Sequence, residues 1–180
     1  MKKISYKIAL GGILASVCIL MMFLTAVFPL LNMVLPLFAG TLLAVVAIEI
    51  STSWGFVTFA TVAVLSIFVT PDKEAAILFI MFFGYYPVLK FLIEKIKSVL
   101  AKWIIKVVMF NIAVIVSYCI LIYVTGTFDL FEEFDFFGRY AVEILLAIGN
   151  AFFILYDYTV SAIVTCYLKW FRPTFLDKIK

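Results

Sequence analysis

The polar residues best placed to do chemistry lie in the last apolar segment of the chain. Glu143, Asn150 and Asp157 follow one another at intervals of seven residues. Seven residues are close to two turns of an α-helix, so the three side chains share one face. Ionisable residues within apolar helices usually face a bundle interior or a water-filled cavity and are candidate functional sites. We therefore expect Glu143 and Asn150 to bind a substrate, with interhelical packing as the alternative role.

A second set of charges follows the third apolar segment. In the run Thr70-Pro71-Asp72-Lys73-Glu74, Thr70 is predicted to be the N-cap of a helix and Pro71 its first residue, with acids in the first turn. The pattern thus favours a structural helix start. The same turn also offers charges to a polar ligand, so Asp72, Lys73 and Glu74 are candidate substrate-binding residues.

A further pair of polar residues lies in the fifth apolar segment. Asn111 and Tyr118 repeat the interval of seven residues, which places them on one helix face. We expect them to face the same interior as Asn150, where interhelical hydrogen bonds contribute about 0.6 kcal/mol each on average.

The patterns typical of catalysis and of metal binding are missing from the sequence. There is no histidine, the commonest general base and metal ligand, and the three cysteines have no paired spacing. Neither a Gly-x-Ser-x-Gly elbow nor a Walker motif occurs. The sequence therefore predicts a protein that is not an enzyme, that needs no cofactor or metal, and that does not itself hydrolyse ATP.

The composition decides what surrounds these residues. Of the 180 residues, 67% are hydrophobic, 18% aromatic and 14% charged, and the mean hydropathy is +1.23. Soluble domains have roughly 45–50% apolar and about 25% charged residues, so a soluble enzyme is excluded. The sequence predicts an all-α, polytopic integral membrane protein, because only helices satisfy the backbone of such apolar runs in lipid.

Turn formers and charges divide the apolar sequence into six segments, most of them near the roughly 20 residues that a transmembrane helix needs. The prediction is a single transmembrane domain, residues 1–180, with six transmembrane helices near residues 8–29, 33–50, 54–70, 75–95, 103–125 and 139–168. Within the fourth segment, Pro87 removes a helical hydrogen bond and is expected to kink the helix near Phe83.

The distribution of charge predicts the orientation. With both termini inside the cell, all of the 14 basic residues except Lys73 and Arg139 fall on the cytoplasmic side, as the positive-inside rule requires. The net charge of +3 is then a consequence of topology, and no nucleic-acid partner is expected. The basic segment 90–106 either lies on anionic lipid headgroups or docks a cytoplasmic partner.

Small residues form a patch on the first predicted helix. Gly11 and Ala15 are four residues apart, as are Gly12 and Ser16. Small residues at this spacing let a second helix approach closely. The patch either packs within its own bundle or docks a separate membrane protein.

This outline resembles the substrate-binding S component of energy-coupling factor (ECF) transporters, which import vitamins and similar micronutrients. The resemblance rests on six short helices, a second helix that ends in Glu49, polar external turns and the stretch Ala9-Leu-Gly-Gly-Ile-Leu-Ala15. That stretch is similar to the motif by which S components dock their transmembrane coupling partner. The chain also resembles a group of uncharacterised bacterial six-helix proteins that share the turn at Pro71 and the segment 83–87.

The resemblance to S components implies a function and a set of partners. The chain would capture a small solute at the external face of a bacterial plasma membrane, and a transmembrane coupling subunit with ATPase subunits would drive its release inside. Glu143, Asn150 and the turn at residues 72–74 would line the cavity. The docking surface would consist of four small residues: Gly11, Gly12, Ala15 and Ser16.

Two alternatives belong to other functional classes. The first is a lipid-handling, flippase-like protein, whose aromatic helices and kinked fourth helix form a groove for membrane lipid. The second is a non-transporting membrane scaffold, whose basic loop binds a cytoplasmic partner.

Overall fold

The structure is a computed structural model that describes residues 4–125 and 141–176. Within these ranges the chain is helical and contains no strand, which confirms the all-α class. The chain divides into two compact units, Met1–Glu133 and Phe134–Lys180.

Short connections join the helices of the first unit. Its α-helices are α1 Ile4–Leu24, α2 Val34–Glu49, α3 Thr52–Val69, α4 Lys73–Leu78, α5 Tyr86–Ile93 and α6 Val99–Thr125, with a 3-10 turn at Pro29–Leu31 and a π-helical segment at Phe79–Phe83. In the second unit the described residues form α7 Ala141–Cys166, which continues as the π-helical segment Tyr167–Leu176.

Five helical stretches in the described ranges are long and apolar enough to cross a membrane: α1, α3, Lys73–Ile93, α6 and Ile144–Pro173. Helix α2 has 16 residues, and at a rise of 1.5 Å per residue it is about 24 Å long. This is shorter than a hydrocarbon core of about 30 Å. The helices are consistent with a multi-pass membrane protein, while the count of six spans and their orientation stay predictions.

Some helix ends differ from those predicted by sequence. Helix α1 ends at Leu24 rather than near residue 29, and Thr25 Oγ1 donates a hydrogen bond to the Met22 carbonyl at 2.8 Å. Helix α6 begins at Val99 rather than near residue 103, because Ser98 Oγ accepts a hydrogen bond from the Ala101 N–H at 3.3 Å. A serine in this position satisfies one of the N–H groups that a helix start leaves without a partner.

The core of the first unit is formed where α1, α2 and α3 pack on one another and on the Lys73–Ile93 stretch. Its buried residues are Ala15, Cys18, Met22, Ala39, Leu43, Val62, Phe79 and Val88. The set includes small side chains such as Ala15 and Ala39 as well as large ones such as Met22 and Phe79. Small side chains let helices approach closely in lipid, where packing replaces the hydrophobic effect as the cause of association.

The predicted kink in the fourth segment takes the form of a π-helical turn. The Gly84 N–H donates to the Phe79 carbonyl at 2.8 Å, five residues back, and α5 then begins at Tyr86 with Pro87 in its first turn. Proline is tolerated there because the first helical N–H groups have no partner within the helix. Pro87 therefore interrupts no hydrogen bond within α5, and the irregularity lies in the π-turn that precedes it.

Gly40 of α2 lies directly against this π-turn. A Cβ atom at Gly40 would stand 2.7 Å from the carbonyl carbon of Phe83 and 3.4 Å from the Gly84 nitrogen. The neighbouring groups are main-chain atoms, which cannot rotate away as a side chain does. Only glycine therefore permits this contact between α2 and the π-turn.

Candidate functional site

The turn before α4 contains three of the predicted substrate-binding residues, and two of them stabilise helix ends. Asp72 is the N-cap of α4: its Oδ1 accepts hydrogen bonds from the N–H groups of Glu74 at 3.0 Å and Ala75 at 3.2 Å. Lys73 Nζ donates to the carbonyls of Ile67 at 3.0 Å and Thr70 at 3.1 Å. An ammonium group at these last carbonyls of α3 is favoured by the helix dipole.

The prediction that Thr70 caps this helix is wrong. Thr70 is the C-cap of α3, with an extended backbone, and its N–H donates to the Ser66 carbonyl at 3.0 Å. Asp72 takes the N-cap position because its carboxylate satisfies two backbone N–H groups at once. The Thr70 side chain is fully buried, and its hydroxyl has no hydrogen-bond partner among the described residues.

The third residue, Glu74, lies at a pocket between α4 and α6. The pocket has a volume of about 150 Å³, and we call it the α4–α6 pocket. It is lined by side chains one or two turns apart on the two helices: Glu74, Ile77 and Leu78 from α4, and Val114, Ser117, Tyr118 and Leu121 from α6. The Asp72 cap fixes the first turn of α4, and therefore also the backbone from which Glu74 projects.

The α4–α6 pocket combines an apolar wall with three polar side chains. Glu74 contributes a carboxylate, while the hydroxyls of Ser117 and Tyr118 can each donate and accept a hydrogen bond. Sites for small molecules are typically concave and apolar, with a few polar groups that fix the orientation of the ligand. An apolar cavity of about 150 Å³ holds a molecule the size of benzene. The pocket therefore suits a compact ligand with one polar end.

The predicted binding residues of the last helix lie in the second unit. Glu143 belongs to α7, and its side chain lies outside the described residues. Asn150 Nδ2 donates to the Leu146 carbonyl of its own helix at 2.7 Å. Asn111 in α6 makes the same type of bond, to the Val107 carbonyl at 2.8 Å. Both amides therefore make a hydrogen bond within their own helix, and the role of Glu143 and Asn150 in binding stays a prediction.

The small-residue patch on α1 is split between two environments. Gly11 and Ala15 are buried, and a Cβ atom at Gly11 would stand 3.4 Å from Thr58 Oγ1 of α3. Gly12 and Ser16 are exposed: a Cβ atom at Gly12 would meet no described atom within 4 Å, and Ser16 Oγ donates a hydrogen bond of 2.9 Å to the Gly12 carbonyl. Half of the patch thus packs on α3, and the other half faces away from the unit.

A charged cluster connects the end of α5 to the start of α6. Glu94 accepts hydrogen bonds from Lys106 Nζ at 2.7 Å and from Lys102 Nζ at 3.0 Å. The Lys106 side chain is 4% exposed, against 45% for Glu94, and its ammonium lies 5.4 Å from the centre of the Trp103 ring. The hydrogen bond from Lys106, supported by Lys102, holds the pKa of Glu94 below its ordinary value despite partial desolvation.

The lysines of the basic segment 90–106 therefore have different roles. Lys102 and Lys106 are engaged by Glu94, so they support the junction of two helices. Lys95 and Lys97 are exposed, so their side chains are accessible to lipid headgroups or to a cytoplasmic partner.

Sequence reasoning missed Ser117 as a pocket residue. Ser117 is 6% exposed and lies beside Tyr118, which was expected to face the same interior as Asn150. A signal existed in the spacing of Val114, Ser117, Tyr118 and Leu121, which recur every three or four residues on one face of α6. The sequence does not show, however, which helix packs on that face.

In the described ranges no group of three or more potential metal ligands comes together. Comparison with protein-family models finds no match, and neither a curated protein nor a solved structure is similar to the chain.

Proposed function

We propose that this chain is the solute-binding subunit of an importer in the bacterial plasma membrane, and that it binds its solute in the α4–α6 pocket. The observation that carries the proposal is the pocket itself, in which Glu74, Ser117 and Tyr118 meet within an apolar wall. A carboxylate held at the edge of an apolar pocket is costly to desolvate unless it has a partner. A ligand that satisfies it gains both specificity and affinity.

The surroundings of Glu74 favour a prearranged site. Asp72 caps the helix from which Glu74 projects, and Lys73 is held by two carbonyls at the end of α3. Neither helix end needs to rearrange for a ligand to enter, which reduces the entropic cost of binding.

Import also requires an energy source that the chain itself lacks. In the resemblance to S components, a transmembrane coupling subunit and ATPase subunits supply it. The exposed half of the α1 patch, Gly12 and Ser16, supports such a docking surface because no atom of the described residues lies within 4 Å of a Cβ placed at Gly12. The buried half, Gly11 and Ala15, supports the packing of α1 on α3 instead.

Binding can be tested by thermal-shift screening of the detergent-solubilised full chain against small solutes. Tyr118→Phe removes a pocket hydroxyl at almost constant volume, and Tyr123→Phe is the matched control, since Tyr123 lies on the same helix and is 90% exposed. Ligand binding raises the melting temperature by mass action. We expect Tyr118→Phe to reduce the shift of a bound solute and Tyr123→Phe to leave it unchanged.

Two results would contradict the proposal. A solute whose thermal shift is the same in wild type, Tyr118→Phe and a pocket-filling Ser117→Leu variant binds elsewhere. Retention of a phospholipid that competes with every solute would favour the lipid-handling alternative.

Docking is tested by a pair of neighbouring substitutions. Gly12→Leu adds a side chain in open space, so the protein should stay folded and lose copurification with the coupling subunits. Gly11→Leu drives a side chain toward Thr58 and should lower stability. If Gly12→Leu copurifies with the same membrane proteins as wild type, this face of α1 is not the docking surface.

A further inference from the structure

We infer that the ligand of the α4–α6 pocket is a small organic cation, namely an amine with a compact apolar body. The inference rests on the proposed function of this pocket as a solute site and adds the chemical class of the solute. It follows from the charge of the lining residues, the position of the neighbouring lysine and the size of the cavity.

The charge of the pocket wall is negative. Among the described residues that line the pocket, Glu74 is the charged one, and the others are apolar or carry hydroxyl groups. An anionic ligand would meet the Glu74 carboxylate without a compensating cation on the wall. An ammonium group would instead form a charge-assisted hydrogen bond, which is shorter and stronger than a neutral one.

The lysine nearest in sequence does not neutralise Glu74 from within the pocket. Lys73 is not a lining residue, and its Nζ donates to the carbonyls of Ile67 and Thr70 at 3.0 and 3.1 Å. Turning it toward the pocket would break both hydrogen bonds at the end of α3. Lys73 thus stabilises another helix end, and among the described lining residues no cation competes with a ligand for the Glu74 carboxylate.

The remaining wall defines the rest of the ligand. Ile77, Leu78, Val114 and Leu121 offer aliphatic surface, and the volume of about 150 Å³ is that of a cavity that holds benzene. The hydroxyls of Ser117 and Tyr118 can accept further N–H groups of the ammonium. A ring or branched chain of roughly six heavy atoms that carries one amine fills this space.

The test compares three probes of one shape and different charge: cyclohexylamine, cyclohexanol and cyclohexanecarboxylate. Binding to the detergent-solubilised full chain is measured by thermal shift and calorimetry at neutral pH. We expect cyclohexylamine to bind most tightly and cyclohexanecarboxylate to bind least. Glu74→Gln should weaken the amine about tenfold, the difference between a hydrogen bond to a charged group and one to a neutral group, and should leave cyclohexanol unchanged.

Asp72→Asn is the matched control. It removes a negative charge two residues from Glu74 but keeps the helix cap, since asparagine caps as well as aspartate. We expect Asp72→Asn to lower the affinity for cyclohexylamine clearly less than Glu74→Gln does, because Asp72 is not a lining residue of the pocket. An equal loss in both variants would show that overall charge, and not the pocket carboxylate, attracts the amine, and would overturn the inference.

The other outcomes separate this inference from the proposed function. If cyclohexanol or cyclohexanecarboxylate binds as tightly as the amine and Tyr118→Phe weakens that binding, the pocket is a solute site but its ligand is not a cation. If none of the probes binds, the cationic class is overturned for ligands of this size, and the Tyr118→Phe comparison in the wider screen decides the proposed function separately. If every probe that binds does so as tightly to Tyr118→Phe and to Glu74→Gln as to wild type, both proposals fail.

Discussion

The contact between Gly40 and the π-turn predicts a large loss of stability in Gly40→Ala. In an ordinary helix this substitution gains about 0.8–1.0 kcal/mol, because alanine has the higher helix propensity. Here the new methyl group would stand 2.7 Å from the Phe83 carbonyl carbon. Overpacking of this kind costs about 1–3 kcal/mol. We expect a cost at the upper end of this range, because the main-chain atoms of Phe83 cannot rotate away from the new methyl group. The net loss is therefore about 2 kcal/mol.

The matched control is Gly12→Ala, in the middle of α1, where an added Cβ meets no atom within 4 Å. For a chain of this size, 1 kcal/mol corresponds to about 2–4 °C in melting temperature. We expect Gly40→Ala to melt about 4–8 °C below wild type, and Gly12→Ala to melt at the wild-type temperature or slightly above. The assay is heating in detergent followed by size-exclusion chromatography of the folded fraction. If Gly40→Ala melts at or above wild type, α2 does not approach the π-turn as closely as described.

Three further predictions concern the charged cluster and the topology. In the folded state the pKa of Glu94 is lowered from 4.5. The ionised Glu94 therefore stabilises the fold above pH 4.5, and this contribution is lost as the pH falls through the folded-state pKa. Over this acidic range the melting temperature of wild type should drop by more than that of Glu94→Gln. At neutral pH, Glu94→Gln should destabilise more than Lys106→Met, because Gln leaves the buried ammonium with a weaker partner, whereas Met replaces it with an apolar side chain of similar length. In intact cells, single-cysteine reporters at Lys97 and at Pro71 should be labelled from opposite sides of the membrane, with Lys97 inside; labelling from the same side would refute the predicted orientation.

Much of the helical architecture follows from local sequence, because the determinants are local. Apolar runs interrupted by turn formers predicted the all-helical class, and Pro87 predicted an irregularity in the fourth segment. Helix ends were predicted less accurately where two residues were candidates for one capping position, as Thr70 and Asp72 were for the N-cap of α4. The choice between them depends on where α3 ends, and that end is stabilised by Lys73 from the next helix.

The candidate site was predicted only in part, because a pocket depends on which helix faces pack together. Glu74 was identified from its position in a polar turn. Its partners Ser117 and Tyr118 come from α6, more than one helix further along the chain, and no local pattern pairs them with α4. The need for glycine at position 40 could not be predicted for the same reason, because the Phe83 carbonyl that excludes a side chain there is distant in sequence.

The π-turn between α4 and α5 has a consequence for the evolution of this chain. A π-turn contains one residue more than the α-helical turn it replaces, so the residues after it are rotated by about 100° relative to an uninterrupted helix. That rotation sets the face of α5 from which Val88 packs against Gly55 of α3, while α4 keeps Glu74 at the pocket. Deleting a single residue between Phe79 and Phe83 would restore a regular helix and turn Val88 away from α3. This segment is therefore expected to conserve its length strictly, so that insertions and deletions are counter-selected even at positions where its half-buried side chains can be substituted.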